Sequence, residues 1–247
     1  LHSSLPAVLA GLRSPDGAEQ PRVVYIMTDG GALPLAYSRL AAALREAGWL
    51  AGTVTAGQAW GGDIEAVSVH NALLAARHVL HADAAVVIQG PGNLGTETPW
   101  GFSGVACGDT VNAIAALGGR AVACLRVSQA DARARHRGVS HHSMTAYGRV
   151  ALAGADIVVP DMEGELGAQV RQEAEALCAP RRGAVQHRLI EIPSDGLLER
   201  LRAAEAETGV RLSTMRRGLE EDAAAFITAA AAGRHVCQLL RTGTARG

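Results

Sequence analysis

Arg22-Val-Val-Tyr-Ile-Met-Thr-Asp-Gly-Gly31 is the stretch of sequence that sets the fold class, because an apolar, β-branched run ends in an acidic residue and two glycines. The run predicts a buried strand over residues 22–27, and the apolar periodicity of residues 35–47 predicts a helix after the loop. Strand, glycine-containing loop and helix form the repeating unit of a parallel sheet covered by helices. The stretch therefore predicts an α/β protein with Asp29 at the carboxyl end of a strand.

The same alternation of β-branched runs and helical segments continues along the chain and predicts a doubly wound, mostly parallel sheet of about seven strands with helices on both faces. Predicted strands cover residues 22–27, 52–55, 84–89, 120–127, 156–159, 188–192 and 210–213. Predicted helices cover residues 35–47, 66–80, 109–117, 140–153, 165–178, 195–207 and 220–232, and Gly48, Gly118, Gly154 and Gly233 are expected to end four of them. We expect a single α/β domain, with a smaller C-terminal lobe from about residue 180 as the alternative.

The composition of the 247 residues excludes several kinds of protein. The formal net charge is -1, so neither a nucleic-acid-binding surface nor an anionic membrane surface is predicted. The 23 basic residues counted as Lys or Arg are all Arg, which rules out a lysine Schiff base and a P-loop lysine. The four cysteines form no C-x-x-C pair, which disfavours a zinc ribbon and fits a reducing, cytoplasmic setting.

Glycines and polar side chains follow each of the first four predicted strands. These loops cover residues 28–31, 57–65, 90–98 and 133–142. Because the carboxyl ends of parallel strands meet at one edge of a sheet, we expect the four loops to surround one crevice that binds a ligand. Asp29 and Asp63 would then face the same cavity.

The fourth loop, Arg133-Ala-Arg-His-Arg-Gly-Val-Ser-His-His142, contains three histidines and three arginines. Ser140 is expected to cap a helix and to put His141 and His142 in its first turn, where the helix dipole lowers the pKa of an imidazole. Neutral imidazoles can bind a metal ion, and the arginines can donate paired hydrogen bonds to phosphate or carboxylate. The alternative is a solvated loop without function, because adjacent histidines do not both face one point along a helix.

Gly90, Gly92 and Gly95 in the third loop match the G-x-G-x-x-G pattern that holds a pyrophosphate at a helix N-terminus. Pro91 removes one backbone donor and no helix is predicted directly after the loop, so a dinucleotide site is disfavoured. Two interpretations stay open. One is a looser anion-binding nest of backbone N–H groups and the Thr96 and Thr98 hydroxyls, and the other is a tight turn that lets neighbouring segments approach.

Together these loops give the predicted site. The expected catalytic residues are Asp29, Asp63, His136, His141 and His142. The expected ligand-binding residues are Gly30, Gly31, Gly90, Gly92, Asn93, Gly95, Thr96, Arg135, Arg137 and Ser140. The sequence does not fix a cofactor, but a divalent metal ion held by Asp29, Asp63 and His141 fits these residue types.

This set of residues favours a hydrolytic enzyme that acts on a small phosphorylated or carboxylated metabolite, assisted by a metal ion where one is bound. One alternative is a non-catalytic regulatory domain that binds a nucleotide or metabolite. Another is an NADP-dependent oxidoreductase with Arg126 at the 2′-phosphate. The expected partner is a small anionic ligand, and the alanine-rich helix 220–232 could also pack against a second copy of the chain in a homodimer.

Several segments resemble those of an uncharacterised bacterial family, domain of unknown function 3866. The resemblance is carried by residues 24–37, 56–65, 90–96 and, most specifically, His136-Arg-Gly-Val-Ser-His-His142, and it covers residues 1–233. It implies no activity and no catalytic residues. The family has an additional β-rich N-terminal portion, which would account for a start at Leu1. It also has Gly-Thr-Gly-Thr where this chain has Gly95-Thr-Glu-Thr98, and the added charge of Glu97 weakens a phosphate cradle.

Overall fold

The computed structural model describes residues 2–14 and 18–243, along which helices and strands alternate. The strands are β1 Val23–Thr28, β2 Gly52–Ala56, β3 Ile64–Ala66, β4 Ala84–Gln89, β5 Val122–Cys124, β6 Val127–Ser128, β7 Gly138–Val139, β8 Asp156–Pro160, β9 Arg188–Ile192, β10 Ser213–Thr214 and β11 Arg217–Gly218. The helices are α1 Leu5–Leu12, α2 Arg39–Glu46, α3 Val69–His78, α4 Ala106–Ala116, α5 His141–Thr145, α6 Gly164–Cys178, α7 Leu197–Thr208 and α8 Ala223–Arg241. A π-helical turn, Ala146–Val150, continues α5.

The larger strands form two parallel sheets instead of the single sheet of seven strands that the sequence predicts. The first sheet has the order β3-β2-β1-β4 and the second has the order β5-β8-β9. The predicted strand over residues 120–127 breaks after Cys124. It breaks because β6 turns away and pairs antiparallel with β7, which lies in the histidine loop, residues 133–142.

The other strand predictions have mixed outcomes. The predicted strands 22–27, 52–55, 84–89, 156–159 and 188–192 match β1, β2, β4, β8 and β9. The predicted strand 210–213 is wrong, because only Ser213 of that segment pairs, in the short β10–β11 hairpin. Strand β3 and helix α1 were not predicted: β3 is too short to show alternation, and every residue of α1 is buried, so α1 has no polar face to mark its period.

Helices cover both faces of the sheets, as the sequence predicts. In β1, Tyr25 and Met27 belong to a core that includes residues of α1, α2, α7 and α8, whereas Ile26 belongs to a core with α3. In β8, Val158 belongs to the first of these cores, and Ile157 belongs to a third core with α4 and α6. One layer of helices therefore backs both sheets, because residues of the two sheets share its core.

Helix α8 crosses α1 at very close range. Gly11 of α1 lies against the carbonyl oxygen of Ala230, and Gly233 of α8 lies against that of Val8, so a Cβ atom at either glycine would collide with backbone. Gly233 therefore serves helix packing inside α8, and the prediction that it ends the helix is wrong.

Of the other three predicted helix ends, two are correct and one is wrong. Gly48 and Gly118 follow α2 and α4 in the left-handed conformation, with φ of 72° and 70°, as helix-ending glycines do. Gly154 does not adopt a positive φ, so its predicted role is wrong.

Helix α8 is also the single helix in the described ranges that is long and apolar enough to cross a membrane. The protein buries 61% of its apolar window, which is the behaviour of a core helix, so its length and composition are weak evidence for a span. The alanines that suggested a homodimer, among them Ala229, Ala230 and Ala231, are buried inside the chain. The homodimer stays a prediction without that support.

Candidate functional site

The loops that follow β1, β2 and β4 contact one another. The Asp29 carboxylate accepts a hydrogen bond of 3.1 Å from the backbone N–H of Gln58, in the loop after β2. Gly30 packs against the side chain of Gln89 at the end of β4, and Gly31 lies against Pro91. These contacts join the first three glycine-containing loops at the carboxyl ends of their strands, as the sequence predicts.

The segment after β4 also reaches the histidine loop. Phe102 stacks on His142 with ring centroids 3.9 Å apart and an angle of 11° between the planes. Farther out, the Glu97 carboxylate lies 3.9 Å from the Arg135 guanidinium. The four loops therefore form a continuous series of contacts that ends at the histidines.

The G-x-G-x-x-G segment folds into turns that are held by its own hydrogen bonds. The Asn93 side-chain oxygen accepts from the Ser103 hydroxyl over 2.8 Å. The Thr96 hydroxyl lies 2.8 Å from that of Thr98 and donates to the Gly101 carbonyl over 3.1 Å. These contacts favour the tight turn over the anion-binding nest. The predicted glycines of the segment are Gly90, Gly92 and Gly95, of which Gly92 has a positive φ, 92°.

His136, His141 and His142 form the centre of the candidate site, which we call the histidine cluster. One nitrogen of each ring lies within 4.8 Å of those of the other two, and the ring centroids are 4.3 to 4.9 Å apart. The first turn of α5 holds the two adjacent rings side by side, and His136 approaches both from the preceding 3-10 turn. The sequence-based argument that adjacent histidines do not face one point is therefore wrong here.

Ser140 orients two of these histidines. Its hydroxyl oxygen accepts from the backbone N–H of His142 over 3.3 Å, which is the predicted helix cap, and it lies 2.6 Å from Nδ1 of His136. Arg126 donates to the same Nδ1 atom over 3.3 Å. Because a guanidinium can only donate hydrogen bonds, Nδ1 of His136 is an acceptor, and the proton of the neutral ring is on Nε2.

A buried network of arginine and aspartate lies next to the histidine cluster. The Asp131 side chain is 3% exposed and binds Arg126 over 3.2 Å, Arg133 over 3.0 Å and Arg217 over 3.4 Å. Arg217 also binds the fully buried Asp222 over 2.9 Å. Since three arginines share two carboxylates, this network keeps a positive charge beside the histidines.

The three histidines are neutral near pH 7, because burial and the positive charge of the nearby arginines lower their pKa values. Burial and the adjacent Arg126 lower the pKa of His136 to about 3. Burial, His141 and Arg126 lower the pKa of His142 to about 4. The pKa of His141 is also lowered, by burial first and then by Arg135. The sequence analysis expected neutral imidazoles at this position but attributed them to the helix dipole.

One ring nitrogen of the cluster has no hydrogen-bond partner. Nε2 of His141 is buried and makes no hydrogen bond within the part of the chain that the structure describes. A buried polar atom without a partner costs roughly 1–3 kcal/mol, and native proteins retain few of them. The centre of the cluster is therefore the place where a bound ion or ligand atom would supply a missing contact.

The two predicted carboxylates lie outside the histidine cluster. Asp63 accepts from the backbone N–H and the hydroxyl of Thr53 over 2.9 and 3.0 Å and pairs with Arg45 over 2.7 Å. It precedes β3, which runs parallel to β2, so Asp63 lies beside the start of β2 and away from its carboxyl end. Asp29 is exposed at the end of β1. The structure does not assemble the predicted metal site of Asp29, Asp63 and His141, because in the described ranges only the three histidines bring ligand atoms together.

The predicted arginines differ in how far they are available to a ligand. The Arg135 side chain is 39% exposed, and its ion-pair partner within the described residues is the solvent-exposed Glu97. Arg137 donates to the backbone carbonyl of Asp131 over 3.2 Å. Arg126 is 14% exposed and held by Asp131 and His136, so it is not free for a 2′-phosphate.

With this geometry established, comparison with known proteins adds one finding. The chain belongs to the family described as protein of unknown function (DUF3866), which matches residues 1–233. The match includes the histidine cluster and its arginine network, and it confirms the resemblance seen in the sequence. No curated protein and no solved structure matches the chain.

The residues that surround the histidines are not predicted from the sequence. Asp131 is paired with Arg133 two positions on, a local signal that could have been used. Arg217 lies 86 residues from Asp131 and carries no local signal. Phe102 is the aromatic residue that packs on the histidines, and it lies outside the loops that the sequence predicts for the site.

Proposed function

We propose that this protein is a hydrolase that acts on a small phosphorylated or carboxylated metabolite bound at the histidine cluster. The observation that carries the proposal is the set of three neutral imidazoles with nitrogens within 4.8 Å of one another, next to arginines. Neutral imidazoles assist hydrolysis, and arginines bind phosphate and carboxylate groups in a bidentate manner.

Arg135 is the residue that we expect to bind the anionic group of the metabolite. It is 39% exposed, and its ion pair with Glu97 is long, at 3.9 Å, so a ligand can replace that pair at little cost. Arg126, Arg133 and Arg217 are already held by Asp131. Their role is to make the surroundings of the histidines positive.

The reaction that fits this arrangement is attack of an activated water on the phosphorus or carbonyl carbon next to the bound anionic group. The bond to the leaving oxygen breaks, and the leaving group takes up a proton. The imidazole nitrogens would assist by accepting the proton of the water or by holding a metal ion that activates it. The positive charge of the arginines stabilises the negative charge that develops on the oxygens in the transition state.

We place this activity in the cytoplasm. The four cysteines, Cys107, Cys124, Cys178 and Cys237, are free thiols, which supports a reducing compartment. The net charge of -1 supports a small-molecule ligand in preference to nucleic acid or a membrane surface.

The proposal is tested by incubating the purified protein with a panel of phosphate monoesters, carboxylic esters and nucleotides, with and without added divalent metal ions, and by measuring the released phosphate, acid or alcohol. We expect at least one compound to be hydrolysed, and His142→Ala to abolish the reaction. His78→Ala is the matched control, because His78 is exposed on α3. Ligand binding without conversion of any compound would replace the hydrolase with the regulatory-domain alternative.

A further inference from the structure

We infer that the histidine cluster is a binding site for one divalent transition-metal ion of the zinc class, held by ring nitrogens of His136, His141 and His142. The inference deepens the proposed function and rests on it for the catalytic role of the ion. The binding site itself is argued from the geometry of the cluster. It differs from the metal site predicted from sequence, which contained two carboxylates.

The spacing of the nitrogens is close to that of a tetrahedral site. One ring nitrogen of each histidine lies within 4.8 Å of one nitrogen of each of the other two. Around a tetrahedral zinc ion with Zn–N bonds of about 2.0–2.1 Å, ligand nitrogens are about 3.3 Å apart. The rings therefore need to approach one another by no more than about 1.5 Å, which small rotations of three side chains can provide.

The hydrogen bonds within the cluster leave two ring nitrogens available to bind a metal ion. Nε2 of His141 is buried and lacks a partner within the described residues. In His136, Nδ1 is engaged by Arg126 and Ser140, so Nε2 is the nitrogen that can bind an ion. Metal binding through Nε2 requires the other neutral tautomer, in which the ring proton is on Nδ1 and is donated to the Ser140 hydroxyl 2.6 Å away, so the hydrogen bond from Arg126 to Nδ1 is given up.

The surroundings hold the rings as they are held in known metal sites. Metal-bound histidines are usually fixed by a hydrogen bond to their second nitrogen, and loss of such a contact lowers metal affinity by roughly 10- to 100-fold. Here Ser140 contacts Nδ1 of His136 over 2.6 Å. Phe102 stacks on His142 at 3.9 Å and excludes water from one face of that ring.

The donor set selects the kind of ion. Imidazole nitrogens suit zinc, cobalt, nickel and copper, whereas magnesium and calcium require oxygen ligands. No carboxylate belongs to the group of ligand atoms in the described ranges. Three histidines fill three positions of a tetrahedral ion and leave the fourth for water, which is the arrangement of catalytic zinc centres. A metal-bound water would then be the activated water of the proposed reaction.

The arginines beside the cluster determine the direction in which the metal affinity should change when one of them is removed. Arg126 donates to Nδ1 of His136, and Arg133 and Arg135 lie in the turn that contains His136, so all three place positive charge close to the histidines. A positive potential weakens the binding of a cation and strengthens the binding of an anion. Removal of Arg135 should therefore improve metal binding at this site and impair the binding of an anionic ligand.

The first experiment titrates chelator-treated protein with Zn²⁺ by calorimetry and with Co²⁺ by visible absorption. The wild-type protein should bind one equivalent of each ion and show the intense bands of tetrahedral Co²⁺. His141→Ala should lower the affinity by more than about 100-fold, since a direct ligand contributes more than an outer contact. His78→Ala should leave the affinity unchanged. No stoichiometric binding by the wild type, or equal binding by His141→Ala, would overturn the inference.

The second experiment separates the metal site from the proposed function. Arg135→Gln should bind Zn²⁺ about as tightly as the wild type or up to roughly tenfold more tightly, and weaker Zn²⁺ binding by this variant would overturn the inference. Hydrolysis of a panel compound by fully metal-free protein would overturn the catalytic role of the ion, while the hydrolase stands. Metal binding without hydrolysis of any compound would confirm the site and overturn the hydrolase.

Discussion

His187 is buried and His141 is partly buried, and they differ in what their ring nitrogens contact. In His187, Nδ1 accepts from the backbone N–H of Ala155 over 3.0 Å, and Nε2 lies 2.9 Å from the carbonyl oxygen of Tyr147. In His141, Nε2 is buried and unpartnered among the described residues. Folding stability alone does not favour an unsatisfied nitrogen, so His187 joins segments of the fold, whereas His141 fits the binding role proposed above.

Two buried carboxylates show the same contrast. Asp156, at the start of β8, is bound by Arg120, Arg188 and His235 over 2.7 to 2.8 Å, and these contacts join β8, β9 and α8. Asp131 also binds three cationic side chains, but one of them, Arg126, contacts His136. The first network stabilises the packing of β8, β9 and α8, whereas the second connects the fold to the histidine cluster.

The largest expected effect is on stability and comes from Asp131→Asn. Removal of one partner from a buried ion network should lower the free energy of unfolding by about 3–5 kcal/mol, measured by urea denaturation. A hydrogen bond from Arg133 holds the pKa of Asp131 well below its usual range. The stability that the charge contributes is therefore fully present above the unfolded pKa of about 4 and is lost as the pH falls towards the lower folded pKa.

The gap between wild type and Asp131→Asn should consequently shrink as the pH is lowered below about 4. Asp156→Asn is the matched control for the site: it should lose stability of the same order near pH 7 and retain Zn²⁺ binding when folded. An equal loss of stability in Asp131→Asn at all pH values would show that the Asp131 carboxylate of the wild type does not stabilise the protein through its charge.

A smaller effect on stability, different in size for the two variants, should distinguish the two histidines. His187→Ala leaves the backbone N–H of Ala155 without its acceptor, while the Tyr147 carbonyl keeps Arg181, and it should cost about 1–3 kcal/mol of unfolding free energy. His141→Ala removes a nitrogen that has no partner and should change the stability of the metal-free protein by less than about 1 kcal/mol. Thermal denaturation of the chelator-treated variants measures both changes in stability. Equal losses of stability would contradict the distinction between a structural His187 and a binding His141.

Phe102→Leu tests how the ring of His142 is held. The substitution keeps an apolar side chain but removes the stacked aromatic pair, which is worth about 0.5–1.5 kcal/mol. We expect a loss of stability in that range, together with roughly tenfold weaker Zn²⁺ binding. Calorimetry on folded protein measures the second quantity, and unchanged Zn²⁺ affinity would show that Phe102 has no part in orienting the site.

The smallest effect should come from Glu97→Gln. Glu97 is 93% exposed and pairs with Arg135 over 3.9 Å, so it competes weakly with an anionic ligand for that arginine. The variant should bind inorganic phosphate up to about fivefold more tightly than the wild type, as expected for an exposed ion pair. Its melting temperature should be unchanged. Weaker phosphate binding would indicate that Arg135 is not the anion-binding residue.

Much of the fold could be predicted from sequence because it follows from local patterns. The β-branched runs of β1 and β4 have the length and composition of buried strands, and the glycines that follow them mark the loops. Asp63 was misplaced because the loop that contains it includes β3, whose three residues show no periodicity. That short strand places Asp63 beside Thr53 and away from the carboxyl edge.

The candidate site could be predicted only in part for a related reason. Ser140, His141 and His142 are neighbours in sequence, so the cap and the helix start were readable. The contact of Arg217 with Asp131 and the stacking of Phe102 on His142 join residues far apart in the chain, and no local pattern encodes either of them. Tertiary packing determines both.

The layer formed by α1, α7 and α8 packs against residues of both parallel sheets. Neither sheet can lose its cover without exposing the apolar face of the other. We therefore expect heat to melt the two sheets in one cooperative transition. Damage at the Gly11 and Gly233 crossing would then lower the melting temperature of the whole molecule, including the loops that carry the histidines.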